Sequence, residues 1–209
     1  MSLRMTAVMA AIVLLCACGG KDDATELHAL FDEHFERSLE MNPIQATFIG
    51  DNRYNDRMAH FFSEEFRAEA EAMDREFLDR LLEIDRQQLG YQDQLSYDIF
   101  RLGREESLEG NQFPGYLQPV NQFGNVMNSF VQLGSGASAH PFKTVKDYDD
   151  WLSRIDDFVI NTDQMMENMR EGMQQGIVQP RILMEKVVPQ LESQIVDDVT
   201  QSAFYTPIE

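Results

Sequence analysis

Histidine spacing is the first test for metal-dependent chemistry in this chain. The helix of a zinc peptidase carries two histidines four positions apart, so that both imidazoles reach one ion, with a glutamate beside the first as general base. The four histidines here are His28, His34, His60 and His140, and no two of them have that spacing. His28 and His34 would lie on roughly opposite faces of a helix. The sequence therefore contains no local zinc motif.

Two other clusters carry groups that could do chemistry. A set of methionine thioethers could bind copper(I): Met165, Met166, Met169 and Met173. Methionine on the apolar stripe of a helix more commonly fills gaps in a core, and we favour that interpretation. Asp149-Asp150 and Asp156-Asp157 could act as paired carboxylates in acid–base work or hold calcium. Charge pairs beside an apolar stripe are typical of a solvated helix face, which we predict for these two.

Asn121 and Gln122 form a polar pair inside a loop, 111–124, whose other residues are largely aromatic, branched, proline or glycine. A buried amide must be hydrogen-bonded. The pair therefore either braces the loop or lines a cleft, and both interpretations stay open.

The elements that would position such groups are helices. In the stretch 144–179, apolar residues recur every three or four positions from Val145 to Met173, with Trp151 and Phe158 widening the stripe. Thr144 can cap the first turn, and Gly176 and the proline after it end the pattern. A helix of about 30 residues is roughly 45 Å long. We expect the other helices to pack along its apolar face.

Similar spacing predicts further amphipathic helices over 25–39, 63–90, 93–110 and 126–133. A short helix over 43–49 is predicted by its end residues, with Asn42 as cap, Pro43 at the first position and Gly50 just past the end. Another begins after Pro180 and continues to Val199, with a kink expected at Pro189. No strand pattern or internal repeat is present. The predicted fold class is all-α, an elongated array of long amphipathic helices.

Composition limits the possible partners. Seventeen basic and 36 acidic residues give a net charge of −19, and the apolar content of 43% is enough for a core. A chain this acidic is repelled by nucleic acid and by anionic lipid surfaces. We therefore exclude nucleic acid as a partner.

The N-terminus has the features of an export signal. Arg4 precedes an apolar run, Met5–Leu15, that is too short to span a bilayer. The run ends in Leu15-Cys16-Ala17-Cys18-Gly19, which looks like a bacterial lipoprotein signal with Cys18 as the lipidated residue. The alternatives are an ordinary cleaved secretory signal and a membrane-held N-terminus. We predict a signal peptide over 1–18, a tether over 19–24 and a helical portion over 25–209.

Three stretches together resemble one family, the bacterial domain-of-unknown-function 885 family (DUF885). The first runs from Asn42-Pro43-Ile44-Gln45-Ala46-Thr47 to Tyr54-Asn55-Asp56, and the second is Pro119-Val120-Asn121-Gln122. The third, 148–181, includes Trp151-Leu152 and Met169-Arg170-Glu171-Gly172. Farther along the chain, Phe204-Tyr205-Thr206-Pro207 is also similar to the family.

This resemblance implies a helical fold like that of gluzincin-type zinc metallopeptidases in an exported lipoprotein. The zinc motif of such a protein lies far downstream, beyond the region that this sequence covers. No zinc ligand or catalytic residue carries over to any position here, and zinc is expected only in the missing C-terminal part. The expected function is the non-catalytic N-terminal half of the peptidase-like protein, forming one wall of a peptide-binding cleft. Asn121 and Gln122 are the candidate residues for lining that cleft, with bracing of the loop as the alternative.

The alternative is a self-contained helical binding lipoprotein without enzymatic activity. In either case we expect a lipid anchor in the bacterial envelope, at the outer membrane facing the periplasm. The expected partners are that membrane and a peptide.

Overall fold

The computed structural model describes residues 22–209, so the predicted signal peptide and its Cys18 lie outside the described residues. Within this range the chain is all-helical, as predicted, and contains no strand. The structure contains seven α-helices: α1 (Asp23–Met41), α2 (Pro43–Phe48), α3 (Glu64–Leu82), α4 (Tyr91–Gly110), α5 (Val126–Gly134), α6 (Val145–Gln175) and α7 (Arg181–Glu192). Loops and three brief 3-10 helices connect them, and two more 3-10 helices follow α7.

The first core lies between α1, α3 and α4. Ser63 begins α3 by accepting a hydrogen bond from the backbone N–H of Phe66 at 3.0 Å, which satisfies one of the free donors at a helix N-terminus. Apolar residues from the three helices and the loop after α3 form one buried cluster: Leu27, Leu30, Met73, Phe77, Leu81, Ile84, Leu89 and Tyr97. This cluster holds the N-terminal half of the described chain together.

A second, aromatic core joins α5 to α6. The ring of Phe130 stacks on Trp151 at 4.5 Å and on Phe158 at 4.1 Å. Gly134 lies so close to this stack that an added Cβ would stand 2.2 Å from the indole of Trp151. Only glycine therefore lets α5 approach α6 at this position.

The long helix α6 has the ends that the sequence predicts. Thr144 accepts a hydrogen bond from the N–H of Asp147, and the Asp147 carboxylate accepts from the N–H of Thr144 at 2.7 Å, which completes a capping box. Gly176 ends the helix in the left-handed conformation, with φ of 74°. The 31 residues of α6 span about 46 Å.

The orientation of α6 differs from the prediction. The apolar stripe was expected to face the other helices, but its outermost row is exposed: Val145, Leu152, Val159, Met166 and Met173. The buried face instead carries many polar side chains, namely Asp150, Arg154, Asn161 and Asn168, beside Trp151 and Met165. The prediction that the rest of the chain packs along the stripe therefore holds for Trp151, Phe158 and Met165, which pack against other elements, and is wrong for the exposed row.

Several boundaries also differ from the sequence prediction. α3 was predicted to continue to Gly90 but ends at Leu82. α1 begins at Asp23, so the last two residues of the predicted tether are helical, and Ala24 packs against the first core. α7 contains Pro189 but ends at Glu192, before the predicted end at Val199. Among residues 22–209, no helix combines the length and the apolar character that crossing a bilayer requires.

Candidate functional site

The buried face of α6 carries a row of polar residues that bind an irregular segment, 57–62. Arg154, Asp157, Asn161 and Asn168 are spaced by three, four and seven positions, which places them on one side of the helix. Each makes a hydrogen bond to the backbone of that segment: Arg154 Nε to the Arg57 carbonyl (3.1 Å), the Met58 N–H to Asp157 Oδ2 (2.7 Å), Asn161 Nδ2 to the Ala59 carbonyl (2.9 Å) and Asn168 Nδ2 to the Phe62 carbonyl (2.9 Å). The side chains of α6 therefore bind the backbone of the segment through hydrogen bonds, as the backbone of a neighbouring strand would in a sheet.

Arg154 is the centre of this polar row and is completely buried. Besides Arg57, its guanidinium contacts Thr47 Oγ1 at 2.6 Å and His140 Nδ1 at 2.9 Å. No carboxylate among residues 22–209 lies within ion-pair distance of Arg154. Burial lowers the pKa of Arg154 to about 10, against the opposing effect of Asp150 and other carboxylates farther away. The guanidinium therefore stays charged at neutral pH and is satisfied by neutral acceptors.

His140 is held in one tautomer by its two partners. Its Nε2 lies 2.9 Å from the carbonyl oxygen of Asp147, which can only accept a hydrogen bond. Its Nδ1 faces Arg154, which can only donate. The proton is therefore on Nε2 and the imidazole is neutral. Burial lowers the pKa of His140, with a smaller contribution in the same direction from Arg154.

The residues that resemble a family signature surround the same guanidinium. Thr47 donates to Asn55 Oδ1 at 2.6 Å while it accepts from Arg154. The backbone carbonyls of Pro43 and Tyr54 lie 3.3 Å from the same Arg154 nitrogen. This stretch therefore surrounds a buried charge through the side chains of Thr47 and Asn55 and through backbone carbonyls.

An open cleft lies in front of the segment that α6 holds. It has a volume of about 520 Å³ and runs between the C-terminal part of α1, residues 57–60 and the start of α3. His60 Nε2 lies 3.1 Å from Asp157 Oδ1 at this cleft. The other charged groups lining the cleft are of both signs: Arg37, Glu40, Arg57, Glu65 and Glu69. The cleft therefore offers both hydrogen-bond donors and carboxylate acceptors on one surface.

The histidines lie at four separate places. His28 contacts Asp93, His34 contacts Arg104, His60 contacts Asp157, and His140 contacts Arg154. Burial and the charge of Arg104 lower the pKa of His34 to about 4. Within residues 22–209, no three side chains of His, Cys, Asp or Glu are grouped so that they could hold a metal ion.

Asn121 and Gln122 lie in the loop between the 3-10 helix 115–117 and α5, and both are half-buried. Asn121 Oδ1 accepts hydrogen bonds from the N–H groups of Phe123 (2.8 Å) and Gly124 (2.7 Å), so this side chain braces the loop. The side-chain oxygen of Gln122 is buried without a hydrogen-bond partner among the described residues. A role in lining a cleft stays a prediction for both residues.

Some of the methionines and aspartates singled out in the sequence are buried, and others are exposed. Met165 is buried, as predicted for core filling, but Met173 is 71% exposed. Asp149 and Asp156 are solvated, as predicted. Asp150 is buried and paired with Lys146 at 2.6 Å, and Asp157 belongs to the polar row, so the solvated-face prediction is wrong for these two.

Sequence reasoning missed Arg154, His140, Thr47, Asn161 and Asn168. The available signal was the polar spacing on α6: Arg154, Asp157, Asn161 and Asn168 have a helical period of their own, opposite the apolar stripe. Asparagine is uncommon in the middle of helices unless its amide has a specific partner. A row of such residues therefore indicates a buried polar face.

Comparison with protein families gives one match. Residues 43–209 match the model of DUF885, described as a bacterial protein of unknown function. Neither a curated protein nor a solved structure matches the chain. The matched region begins at Pro43, whose carbonyl oxygen contacts Arg154, so it includes the polar row, the segment it holds and the signature residues around the buried guanidinium.

Proposed function

The chain belongs to the DUF885 family of bacterial proteins, and we propose that it forms one wall of a peptide-binding cleft. The whole protein would be an envelope lipoprotein resembling a zinc metallopeptidase, in which this portion is non-catalytic. The observation that carries the proposal is the open cleft of about 520 Å³ between α1, residues 57–60 and α3.

The chemistry of this cleft suits a peptide. Each residue of an extended peptide presents one N–H donor and one C=O acceptor. Arg37 and Arg57 can donate to peptide carbonyls, and Glu65 and Glu69 can accept from peptide N–H groups. Binding sites for small ligands have volumes of roughly 300–1,000 Å³, so the cleft has room for a few residues.

The polar row on α6 supports the proposal because it makes the cleft wall rigid. Residues 57–60 have no regular secondary structure, yet Arg154, Asp157 and Asn161 hold three consecutive backbone groups of that segment. A preorganised wall loses little conformational entropy when a ligand binds. Asp157 also contacts His60, so the same helix positions a side chain at the cleft.

Two further parts of the proposal, catalysis and membrane anchoring, concern regions outside the described residues. Zinc would be held by a C-terminal portion of the protein, and this chain would orient the peptide. Cys18 would carry the lipid anchor at the outer membrane, facing the periplasm. The net charge of −19 fits attachment through a lipid better than attachment through contact with anionic headgroups.

The test is binding of fluorescein-labelled peptides to the 209-residue chain, followed by fluorescence polarisation. We expect binding of short unstructured peptides without added metal, and a loss of about tenfold or more in affinity for the double variant Arg57→Ala/Glu69→Ala. Both side chains are exposed, so folding should be unaffected. The matched control is Arg101→Ala/Glu106→Ala on α4, which removes the same charges away from the cleft. Equal affinity for wild type and the cleft variant would contradict the proposal.

A second assay tests the non-catalytic part of the proposal. With zinc added, the chain should hydrolyse none of these peptides. Turnover that a chelator abolishes would show that the chain contains a catalytic centre.

The second candidate function is a self-contained binding lipoprotein without enzymatic activity. The exposed apolar row on α6 favours it, because a surface of this kind marks a contact site for another protein. A monodisperse chain with a cooperative thermal transition that binds a protein partner but no short peptide would support this candidate instead.

A further inference from the structure

We propose that the outer face of α6 is a docking surface for a cationic amphipathic helix of another protein. The surface consists of the apolar row, the pocket at its C-terminal end and the acidic edge beside it. It is separate from the peptide cleft and rests on different residues, so the two proposals can fail independently.

The apolar row has the spacing of a coiled-coil seam. Five exposed residues recur at intervals of seven positions: Val145, Leu152, Val159, Met166 and Met173. A second, half-buried row lies three positions after each of the first four and borders the exposed row on the side of the fold, where Ile155 and Met169 pack against buried clusters: Tyr148, Ile155, Thr162 and Met169. These are the a and d positions of a heptad repeat, into which a second helix packs its own side chains. Because the period is seven, a partner helix can follow the row along its whole length of about 42 Å.

An apolar pocket lies at the C-terminal end of this row. It has a volume of about 240 Å³, and its lining includes Met173 of the row, Met169 of the half-buried row and Met184 of α7. The remaining lining includes Leu117, Val120 and Val178. Methionine side chains are flexible and polarizable, and they adapt to different apolar groups. The pocket is therefore suited to a bulky apolar side chain that anchors one end of the docked helix.

The charge along the row defines the chemistry of the partner. Asp149, Asp156 and Asp163 are exposed and occupy the same heptad position on one edge of the row, and Arg170 follows them. On the other edge, the flanking positions are Trp151, Phe158, Met165 and Gly172, which pack inside the fold. Only the acidic edge can pair with a partner, so the partner needs lysine or arginine opposite it.

The same charges argue against a second copy of this chain as the occupant. In an antiparallel pair of α6 helices centred on the row, Asp149 would face Arg170, but Asp156 would face Asp163 twice. Two molecules that each carry a net charge of −19 also repel each other. A basic helix relieves both sources of repulsion.

The probe for this proposal is a synthetic peptide of about 28 residues that matches the length of the row. It has leucine at the a and d positions and lysine at the flanking positions. A second peptide has glutamate in place of every lysine. Binding to the 209-residue chain is measured by calorimetry, and the gain of peptide helix is measured by circular dichroism. We expect one-to-one binding of the lysine peptide, at least about tenfold tighter than that of the glutamate peptide.

Two variants separate docking from general attraction between opposite charges. Leu152→Ser/Val159→Ser keeps every charge and should lower the affinity for the lysine peptide by about tenfold or more. Ile99→Ser on α4, where the side chain is 64% exposed outside the row, is the matched control and should change nothing. The triple variant with Asp149→Lys, Asp156→Lys and Asp163→Lys should prefer the glutamate peptide.

Three results would overturn the proposal. One is equal affinity for the two peptides. Another is binding of the lysine peptide that Leu152→Ser/Val159→Ser leaves unchanged, which would show attraction by charge alone. The third is a dimer in light scattering that the same variant dissociates while neither peptide binds, which would assign the row to a second copy of the chain.

Discussion

Replacing Arg154 with methionine tests whether the polar row on α6 holds the fold together. The change removes three close hydrogen bonds from a fully buried guanidinium, to Arg57 (3.1 Å), His140 (2.9 Å) and Thr47 (2.6 Å). Hydrogen bonds to a charged group contribute about 1.5–3 kcal/mol each, so the gross loss of the three bonds is about 4.5–9 kcal/mol.

Part of this loss is offset because the variant no longer buries a charge. The acceptors on the other three residues nevertheless lose their donor, although the Thr47 hydroxyl keeps its hydrogen bond to Asn55. We therefore expect the free energy of unfolding to fall by about 3–5 kcal/mol, because each buried acceptor left without its donor costs about 1–3 kcal/mol. Total stabilities are about 5–15 kcal/mol, so this is a large fraction.

The assay is urea unfolding followed by circular dichroism and by the fluorescence of Trp151, the single tryptophan of the chain. Arg75→Met is the control, because Arg75 makes an exposed ion pair with Glu71 that contributes less than about 1 kcal/mol. The stability of Arg154→Lys should lie between those of wild type and Arg154→Met, since an ammonium group reaches fewer of the acceptors. A free energy of unfolding for Arg154→Met that lies within about 1 kcal/mol of the wild-type value would refute the reasoning.

Two further predictions concern pH and packing. The pKa values of His34 (about 4) and His140 lie below the ordinary value near 6.5, so as the pH falls from 7 to 5 the unfolded chain binds protons that the folded chain does not. The free energy of unfolding should therefore decrease over this window, by about 1 kcal/mol for His34 after allowance for its partial exposure. In urea titrations at several pH values, His34→Gln should make the free energy of unfolding depend less steeply on pH. Gly134→Ala should destabilise by about 2–3 kcal/mol in the same assay, because its Cβ would meet the indole of Trp151 at 2.2 Å. The control Gly103→Ala, within α4 and with no atom near its Cβ, should be neutral or stabilise by up to about 1 kcal/mol.

Each of these two predictions has a result that would contradict it. A free energy of unfolding that stays constant from pH 7 to 5 would mean that the two imidazoles are not buried as neutral groups. A variant Gly134→Ala as stable as Gly103→Ala would mean that α5 does not approach α6 as closely as the structure shows.

The sequence by itself determined the elements whose signals are local. The all-helical class followed from the apolar periodicity within each segment, and the two ends of α6 followed from residues within a turn of each end. Thr144 and Asp147 cap the helix with each other, and Gly176 adopts the left-handed conformation that glycine permits. α7 is the counter-example: its apolar spacing continues to Val199, but the helix ends at Glu192. A periodic pattern is compatible with a helix without requiring one, so such boundaries depend on packing.

Only the tertiary structure decided which side of α6 is buried. Periodicity shows that Leu152 and Val159 share a face, and that Arg154 and Asn161 share another, but it does not show which face has a neighbour. Burying polar side chains is unfavourable unless each finds a partner. The partners here are backbone groups of residues 57–62, about 100 positions away in the chain, and no local pattern specifies that pairing. The candidate cleft depends on the same long-range contacts, which is why its residues could not be assembled from the sequence.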